Sequence, residues 1–252
     1  MNDAAVIAPS VSVRRYDAHE ASDVHAFHQI VLGLDGTMVM AVDGVAERIV
    51  AGSAWLVPAG ARHDYAGIGE NRQLVLDLPL ASLAVPQRLF ERARAITLAP
   101  PLAQRVRDIA SCASSDGSAK GRRFHWDAAA RLCDALLPAA AASAPGSGLD
   151  FARIDHWMRA HLSEPLRVAD LAAHCGFGMR RFHQLFDEAF GETPYRYLQR
   201  LRLDAAIMLL GDARRSLTEI ALDVGFADQS AFTHAFTRRF GLAPGQWRRL
   251  RH

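Results

Sequence analysis

The chain has 252 residues, half hydrophobic and 22% charged, an ordinary globular composition with room for two modest domains. Three widely separated cysteines (Cys112, Cys133, Cys175) with no C-x-x-C spacing argue against a disulfide framework or zinc finger and fit a reduced, cytoplasmic setting. No apolar run approaches the roughly 20 residues of a membrane span, and Met1–Ser10 carries an acid rather than the basic start of a secretion signal.

The net charge of +2 hides a split: residues 151–252 hold 15 Arg against 11 Asp+Glu, or +4, which leaves −2 for residues 1–150. Residues 11–80 read as short strands, Val11–Tyr16, His25–Leu34, Thr37–Val42, Ala54–Pro58 and Gln73–Leu78. Asp35-Gly36 and Asp43-Gly44 are hairpin signals between them. Many short antiparallel strands in a row predict a sandwich or barrel.

Within this region Gly52-Ser-Ala-Trp-Leu-Val-Pro58-Ala-Gly60-Ala-Arg-His63 fits G-x5-P-x-G-x2-H and resembles the second motif of cupin barrels. Gly52 and Gly60 permit tight turns, Pro58 ends a strand and His63 enters the next. The other strand with ligand-type residues is Asp23-Val-His25-Ala-Phe-His28-Gln29, where metal cupins have two His flanking one residue and a Glu after them. Here Asp23 takes the first His place, and the Glu place falls near His28 or Gln29. Asp23, His25, Gln29 and His63 are therefore candidate ligands for a divalent metal in the barrel. Alternatively His25, His28, Trp55, His63 and Tyr65 line a metal-free effector pocket, with Arg62 or Arg72 able to meet an anionic group. A purely structural barrel is the third reading.

Residues 86–138 turn Ala-, Leu- and Arg-rich, with helical stretches around Gln87–Arg94, Leu102–Cys112 and Phe124–Leu137. Their apolar positions Leu102, Val106, Ile109, Leu132, Leu136 and Leu137 can serve a dimer contact or pack on the barrel. A thiolate sensor at Cys112 or Cys133 would need exposure and a low pKa, and a buried structural Cys is the simpler reading. Residues 139–148 are small, uncharged and Pro/Gly-containing, which predicts a flexible linker between a domain at 1–138 and another at 149–252.

From Leu149 onward everything reads as helix, and one message is written twice. Leu171–Pro194 and Ile220–Pro244 share Ala172/Ala221, Gly176/Gly225, Phe177/Phe226, Phe182/Phe232, Phe186/Phe236, Phe190/Phe240, Gly191/Gly241 and Pro194/Pro244. The offset is 49 at the first Gly pair and 50 from Phe182/Phe232 onward, so the second copy has one more residue in its turn. Short helix, Gly-containing turn and second helix with a polar outer face is the layout of a helix-turn-helix. In the first copy Phe182, Leu185, Phe186 and Ala189 recur on one helical face, and Arg180, His183, Gln184 and Asp187 on the other. In the second, Phe232, Ala235, Phe236 and Phe240 face inward, while Gln229, Ser230, Thr233 and His234 face outward or open the helix. Arg and Gln pair bidentately with guanine and adenine edges, and Arg180 and Arg181 add phosphate attraction to the first copy. Pro194–Leu210 is a helix long enough to hold the copies about one DNA turn apart.

The run Ile220-Ala-Leu-Asp-Val-Gly-Phe226, then Asp228-Gln229-Ser230, Phe232, Phe236, Phe240-Gly241, Pro244 and Trp247-Arg248, resembles the DNA-binding domain of AraC/XylS-type bacterial transcription regulators. The resemblance covers about 40% of the chain and implies a seven-helix domain with two recognition helices in adjacent major grooves. Two departures stand out: Asp187 and Glu188 where basic residues are common, and Arg167 where a Ser or Thr cap usually opens the first unit. The second unit keeps the capping-box pattern Ser216-x-x-Glu219.

The resulting expectation is an α+β protein of two domains, an N-terminal cupin-like β-barrel with appended helices (86–138) and a C-terminal all-α double helix-turn-helix. It implies a cytoplasmic, dimeric transcription activator that takes a small-molecule effector in the barrel and meets promoter DNA and RNA polymerase. The alternative is a metal-dependent cupin enzyme fused to a DNA-binding module. No Ser/His/Asp nucleophile pattern or phosphate-cradling Gly loop accompanies it.

Overall fold

The computed structural model describes residues 8–250 apart from 43, 81, 114–118 and 143–148. The chain divides into two compact units, one of Ile7–Ser82 with Leu89–Ser143, the other including Leu83–Arg88 and Ala144–His252. Among the described residues no helix is long and apolar enough to cross a membrane.

The first unit is built on a seven-stranded antiparallel sheet: β1 (Ser10–Arg14), β2 (Ala21–Asp23), β3 (His28–Val42), β4 (Val45–Val50), β5 (Ser53–Val57), β6 (His63–Leu78) and β7 (Arg94–Thr97). The main order is β1-β6-β3-β5-β7, with β2 also on β6 and β4 also on β3. Its spine is the pair of long strands β3 and β6. Because side chains alternate across a strand, the register Val31↔Trp55 and Val31↔Val75 puts these three on one face, with Gln29, Gln73 and Asp77. Val31, Met38, Met40, Val42, Ile49, Trp55, Val57 and Val75 form a buried cluster there, with Tyr16 and Tyr65 packed against it. Ile30, Leu32, Leu74 and Leu76 are buried on the other face.

Two strand readings are corrected. The predicted strands His25–Leu34, from His28 on, and Thr37–Val42 belong to one strand, β3, and Asp35-Gly36 makes a bulge within it rather than a hairpin. Gly36 sits at φ +66°, and a Cβ there would lie 2.1 Å from the Glu70 carbonyl oxygen, so the kink demands glycine. Asp-Gly chemistry permits φ > 0 in either setting, and only the long partner β6 decides between them. The second turn, at Gly44, does join β3 to β4. The helical reading at Gln87–Arg94 also fails: Gln87–Phe90 is a single 3-10 turn, and Arg94–Thr97 pairs with β5.

Two helices complete this unit, α1 (Pro100–Cys112) and α2 (Ala119–Ala142). Pro100 and Pro101 open α1, where a missing N–H costs nothing. Leu102, Val106, Ile109, Leu132 and Leu136 are buried, so these apolar stripes are used inside the unit. α2 packs on β1, where His125 Nδ1 accepts from the Val11 N–H at 3.1 Å. Helix α2 runs through Ala142, into the stretch read as linker, and residues 143–148 lie outside the described residues.

The second unit carries α3 (Phe151–Ala160), α4 (Val168–His174), α5 (Met179–Phe190), α6 (Pro194–Leu209), α7 (Leu217–Asp223), α8 (Gln229–Phe240) and α9 (Pro244–Arg249). Asp150, Thr193, Ser216 and Asp228 cap α3, α6, α7 and α8 through their side chains. Ser216 and Glu219 form the expected capping box, whereas Arg167 gives α4 no side-chain cap. Helix α6 is the spine. Tyr197, Leu198, Leu201, Ala206 and Ile207 are buried along its 16 residues, which span about 24 Å. Helices α5 and α7 both pack on it.

Candidate nucleic-acid interface

Helices α4–α5 and α7–α8 are the two helix-turn-helix units, and their turns are set by glycine. Gly176 and Gly225 have φ of +75° and +85°. A Cβ on Gly225 would lie 2.2 Å from the Leu162 carbonyl oxygen and 2.6 Å from Arg202 Nη2. Arg202 is buried because its guanidinium donates to Leu162 O at 2.9 Å and Glu164 O at 2.8 Å, ordering the loop after α3.

The inward face of each second helix is as predicted. Phe182, Leu185, Phe186 and Ala189 are buried in α5, Phe232 and Phe236 in α8, and Ala235 and Phe240 are half-buried. Phe186 stacks on Phe190 at 4.1 Å, and Phe236 meets Trp247 edge-on at 5.5 Å. Burying each ring is worth about 1.5–3 kcal/mol, enough to fix which side of the helix remains in solvent.

That outer side gathers Arg180, Arg181, His183 and Gln184 on α5, and Gln229, Ser230 and His234 on α8, all exposed, with Thr233 half-buried. The helices differ in how these groups are engaged. On α5, Arg181 Nη1 donates to Gln184 Oε1 at 3.0 Å, and Gln184 Nε2 donates to Glu188 Oε1 at 2.9 Å. Among the described residues Arg180 and His183 make no such bond. On α8 the last turn carries exposed Arg238 where α5 has Glu188. Sequence reasoning passed over Met179, 43% exposed at the start of α5, and Thr218, beside the start of α8. The exposed apolar side chain at a helix start was the available signal for Met179.

Behind these faces lies a buried polar network on α6. Tyr197 OH donates to Asp155 Oδ1 at 2.6 Å, and Arg159 Nε donates to Asp155 Oδ2 at 2.6 Å. Burial, then the Asp155 charge, pushes the Tyr197 hydroxyl well above the usual tyrosine range. Asp204 accepts from Arg239 Nη2 at 2.6 Å, tying α8 to α6, and from the Ala84 N–H at 2.9 Å. Burial raises the Asp204 carboxyl and lowers the Arg239 guanidinium to about 10, each held by the other's charge.

In the sheet unit the predicted pocket and metal residues are split. His25, His63 and Tyr65 form a run of rings at 4.9 and 5.9 Å, continued by Tyr16 edge-on to Tyr65 at 5.2 Å. Trp55 is 2% exposed within the apolar cluster, and its indole N–H is buried without a hydrogen-bond partner among the described residues. His28 lies on the opposite face from Gln29, stacked on Phe90 at 4.0 Å and accepting from the Ala59 N–H at 3.0 Å. Burial, then the His25 charge, lowers it to about 4, so it is a neutral packing residue. Burial likewise lowers His63.

Of the metal candidates, Gln29 donates to Asp77 Oδ1 at 2.9 Å and Asp23 is exposed, accepting from the Val24 N–H. No group of three or more His, Cys, Asp or Glu able to hold a metal occurs among the described residues. Arg72 donates to Asp35 at 2.8 Å, and Arg62 stands 3.8 Å from Asp64. The same unit holds a cavity of about 510 Å³ lined by Tyr16, Asn71, Arg15, Arg72 and three carboxylates, Asp17, Asp35 and Glu70. Asn71 fixes its wall by bonding both the N–H (3.3 Å) and the carbonyl (2.9 Å) of Tyr16. Cys133 is buried and Cys112 exposed.

Comparison with known proteins adds to this geometry. Residues 171–250 match the helix-turn-helix domain family. LumQ of Photobacterium leiognathi, named a probable transcriptional regulator, is 26% identical over 95% of this chain and 96% of its own. RhaS of Escherichia fergusonii, an HTH-type transcriptional activator, is 37% identical over 40% of this chain, which spans only 37% of that relative. Among solved structures, an AraC-type regulator from Chromobacterium violaceum is 31% identical over 39% of this chain and 88% of its own, at a TM-score of 0.37.

Proposed function

We infer that this chain, whose residues 171–250 form an AraC-type helix-turn-helix domain, is a sequence-specific DNA-binding transcription regulator. The observation that carries this is the duplicated unit: two helices, α5 and α8, with inner faces built on buried phenylalanines, each presenting hydrogen-bonding side chains to solvent from its first turns. Helices so presented enter the major groove and read base edges with their N-terminal residues. Arg180 and His183 read one half of the site. Gln229, Ser230, Thr233 and His234 read the other, and Arg181 and Arg238 supply charge for the phosphates.

The sheet unit acts as a cupin-like sensing domain for a small-molecule effector. Supporting this are the polar cavity of about 510 Å³ and its wall residue Tyr16, which packs on Tyr65 and so reaches the run of rings ending at His25. Effector binding shifts the population of DNA-competent conformers, and the output is activation, with RNA polymerase and a second copy of the chain as further partners.

The test is to sequence genomic DNA bound by the purified full-length protein at fixed salt. The expected result is a split motif of two short elements about one helical turn apart. Binding with no sequence preference and a steep salt dependence would mean that the outer faces do not read bases.

A further inference from the structure

The residue that opens each recognition helix faces solvent, and the two copies fill that place differently. Helix α8 opens with Gln229, whose side-chain Oε1 accepts from Thr218 Oγ1 at 2.7 Å. Thr218 is the second residue of α7 and is exposed. Helix α5 opens with Met179, and the second residue of α4 is Ala169. Amide and hydroxyl thus occur together in one copy and are both missing from the other. The remaining recognition-helix amide, Gln184, has both ends engaged along its own helix by Arg181 and Glu188. Gln229 Nε2 donates to no protein group among the described residues.

We propose that Thr218 is a positioning residue that orients the Gln229 amide to read an adenine in the half-site bound by α8. This rests on the regulator reading above. A primary amide is nearly the same shape either way round, with a donor at one end and an acceptor at the other. Adenine presents N7 as acceptor beside N6–H as donor, so a glutamine reads both only when its ends lie in the matching order. The Thr218 hydroxyl donates to one lone pair of Oε1, which holds the side-chain conformer with the carbonyl end toward α7. The second lone pair and both Nε2 hydrogens remain for the base. A free, exposed glutamine would lose rotamer freedom on binding; one already held by a hydroxyl loses less. In the other copy Ala169 and Met179 leave an apolar tip, suited to a thymine methyl.

The experiment uses the full-length chain and a randomised duplex library, followed by affinities at fixed salt for the selected operator and its single-base variants. Wild type and Thr218→Ser are expected to prefer adenine at one position of the α8 element, with other bases binding about tenfold more weakly. Thr218→Val, of the same shape but without the hydroxyl, should reduce that preference several-fold while its melting temperature, its affinity for random duplex and its other base preferences stay at wild type. Gln229→Ala should abolish the preference at the same position. A Thr218→Val protein with the wild-type preference overturns the positioning role, and a position that Gln229→Ala leaves untouched overturns the reader itself. A wild-type chain without any sequence preference would overturn the regulator reading as well.

Discussion

Removing the Asp204 carboxylate should cost more stability than almost any other single change in the second unit. The Asp204 and Arg239 side chains are 9% and 7% exposed, and their ion pair joins the spine α6 to the recognition helix α8. Burial has already drawn the Arg239 guanidinium down to about 10 with its partner present. Without Asp204, the same guanidinium stays in low dielectric lacking that counter-charge. The gain from no longer burying the carboxylate offsets part of this, and deletions of one member of a buried pair leave a net cost of about 3–5 kcal/mol. Asp204→Ala also takes an acceptor from the Ala84 N–H, so the single mutant alone does not isolate the pair. A double-mutant cycle does. Urea unfolding of wild type, Asp204→Ala, Arg239→Met and the double mutant should show that Arg239→Met recovers about 2 kcal/mol or more of the Asp204→Ala loss. A single-mutant cost below about 1 kcal/mol, or two additive losses, would refute the claim that α8 is held by this pair.

Three further outcomes follow from the site and the core. Arg180→Ala should cost about 1–3 kcal/mol on the preferred operator and relax one base position, whereas equal weakening on every sequence in a binding titration would assign Arg180 to phosphate alone. Gly176→Ala should lose about 1–2 kcal/mol to its positive φ, and Gly225→Ala distinctly more, because only its Cβ meets Leu162 O; equal denaturation midpoints would remove that distinction. His28, His63 and His125 are all lowered by burial, so the unfolded chain takes up protons near pH 6.5 that the folded chain refuses. Stability is therefore full above about pH 6.5 and declines as pH falls toward 4, with His28 alone contributing on the order of 3 kcal/mol. Urea melts at several pH values should show this slope flattened in His28→Gln.

The second unit was legible because its signals are local and repeated. Phe182, Leu185, Phe186 and Ala189 mark a buried stripe whatever they pack against, and a matching stripe fifty residues later shows that the unit is doubled. The sheet unit was less so, since its signals have more than one solution. Asp35-Gly36 allows φ > 0 in a hairpin or a bulge, and Arg94–Thr97 becomes a strand only because β5 offers it an edge. The histidine spacings matched a ligand pattern in part, yet Gln29 turns to Asp77 and His28 to the other face of the sheet. The Thr218–Gln229 contact could not be read from periodicity. It depends on how the turn at Gly225 folds one helix start against another, and the extra residue in that turn shifts the alignment between the two copies.

The two reading helices end in opposite charge, Glu188 on α5 and Arg238 on α8, and begin with different chemistry, Met179 against Gln229. A single chain therefore has no internal dyad to offer the duplex. Its target has a head and a tail, and the base sequence alone dictates which way round the protein lies. Inverting the target in place would reverse the order in which α5 and α8 follow one another along the duplex. For a protein of this build, orientation of the site is as much a part of the regulatory signal as its occupancy.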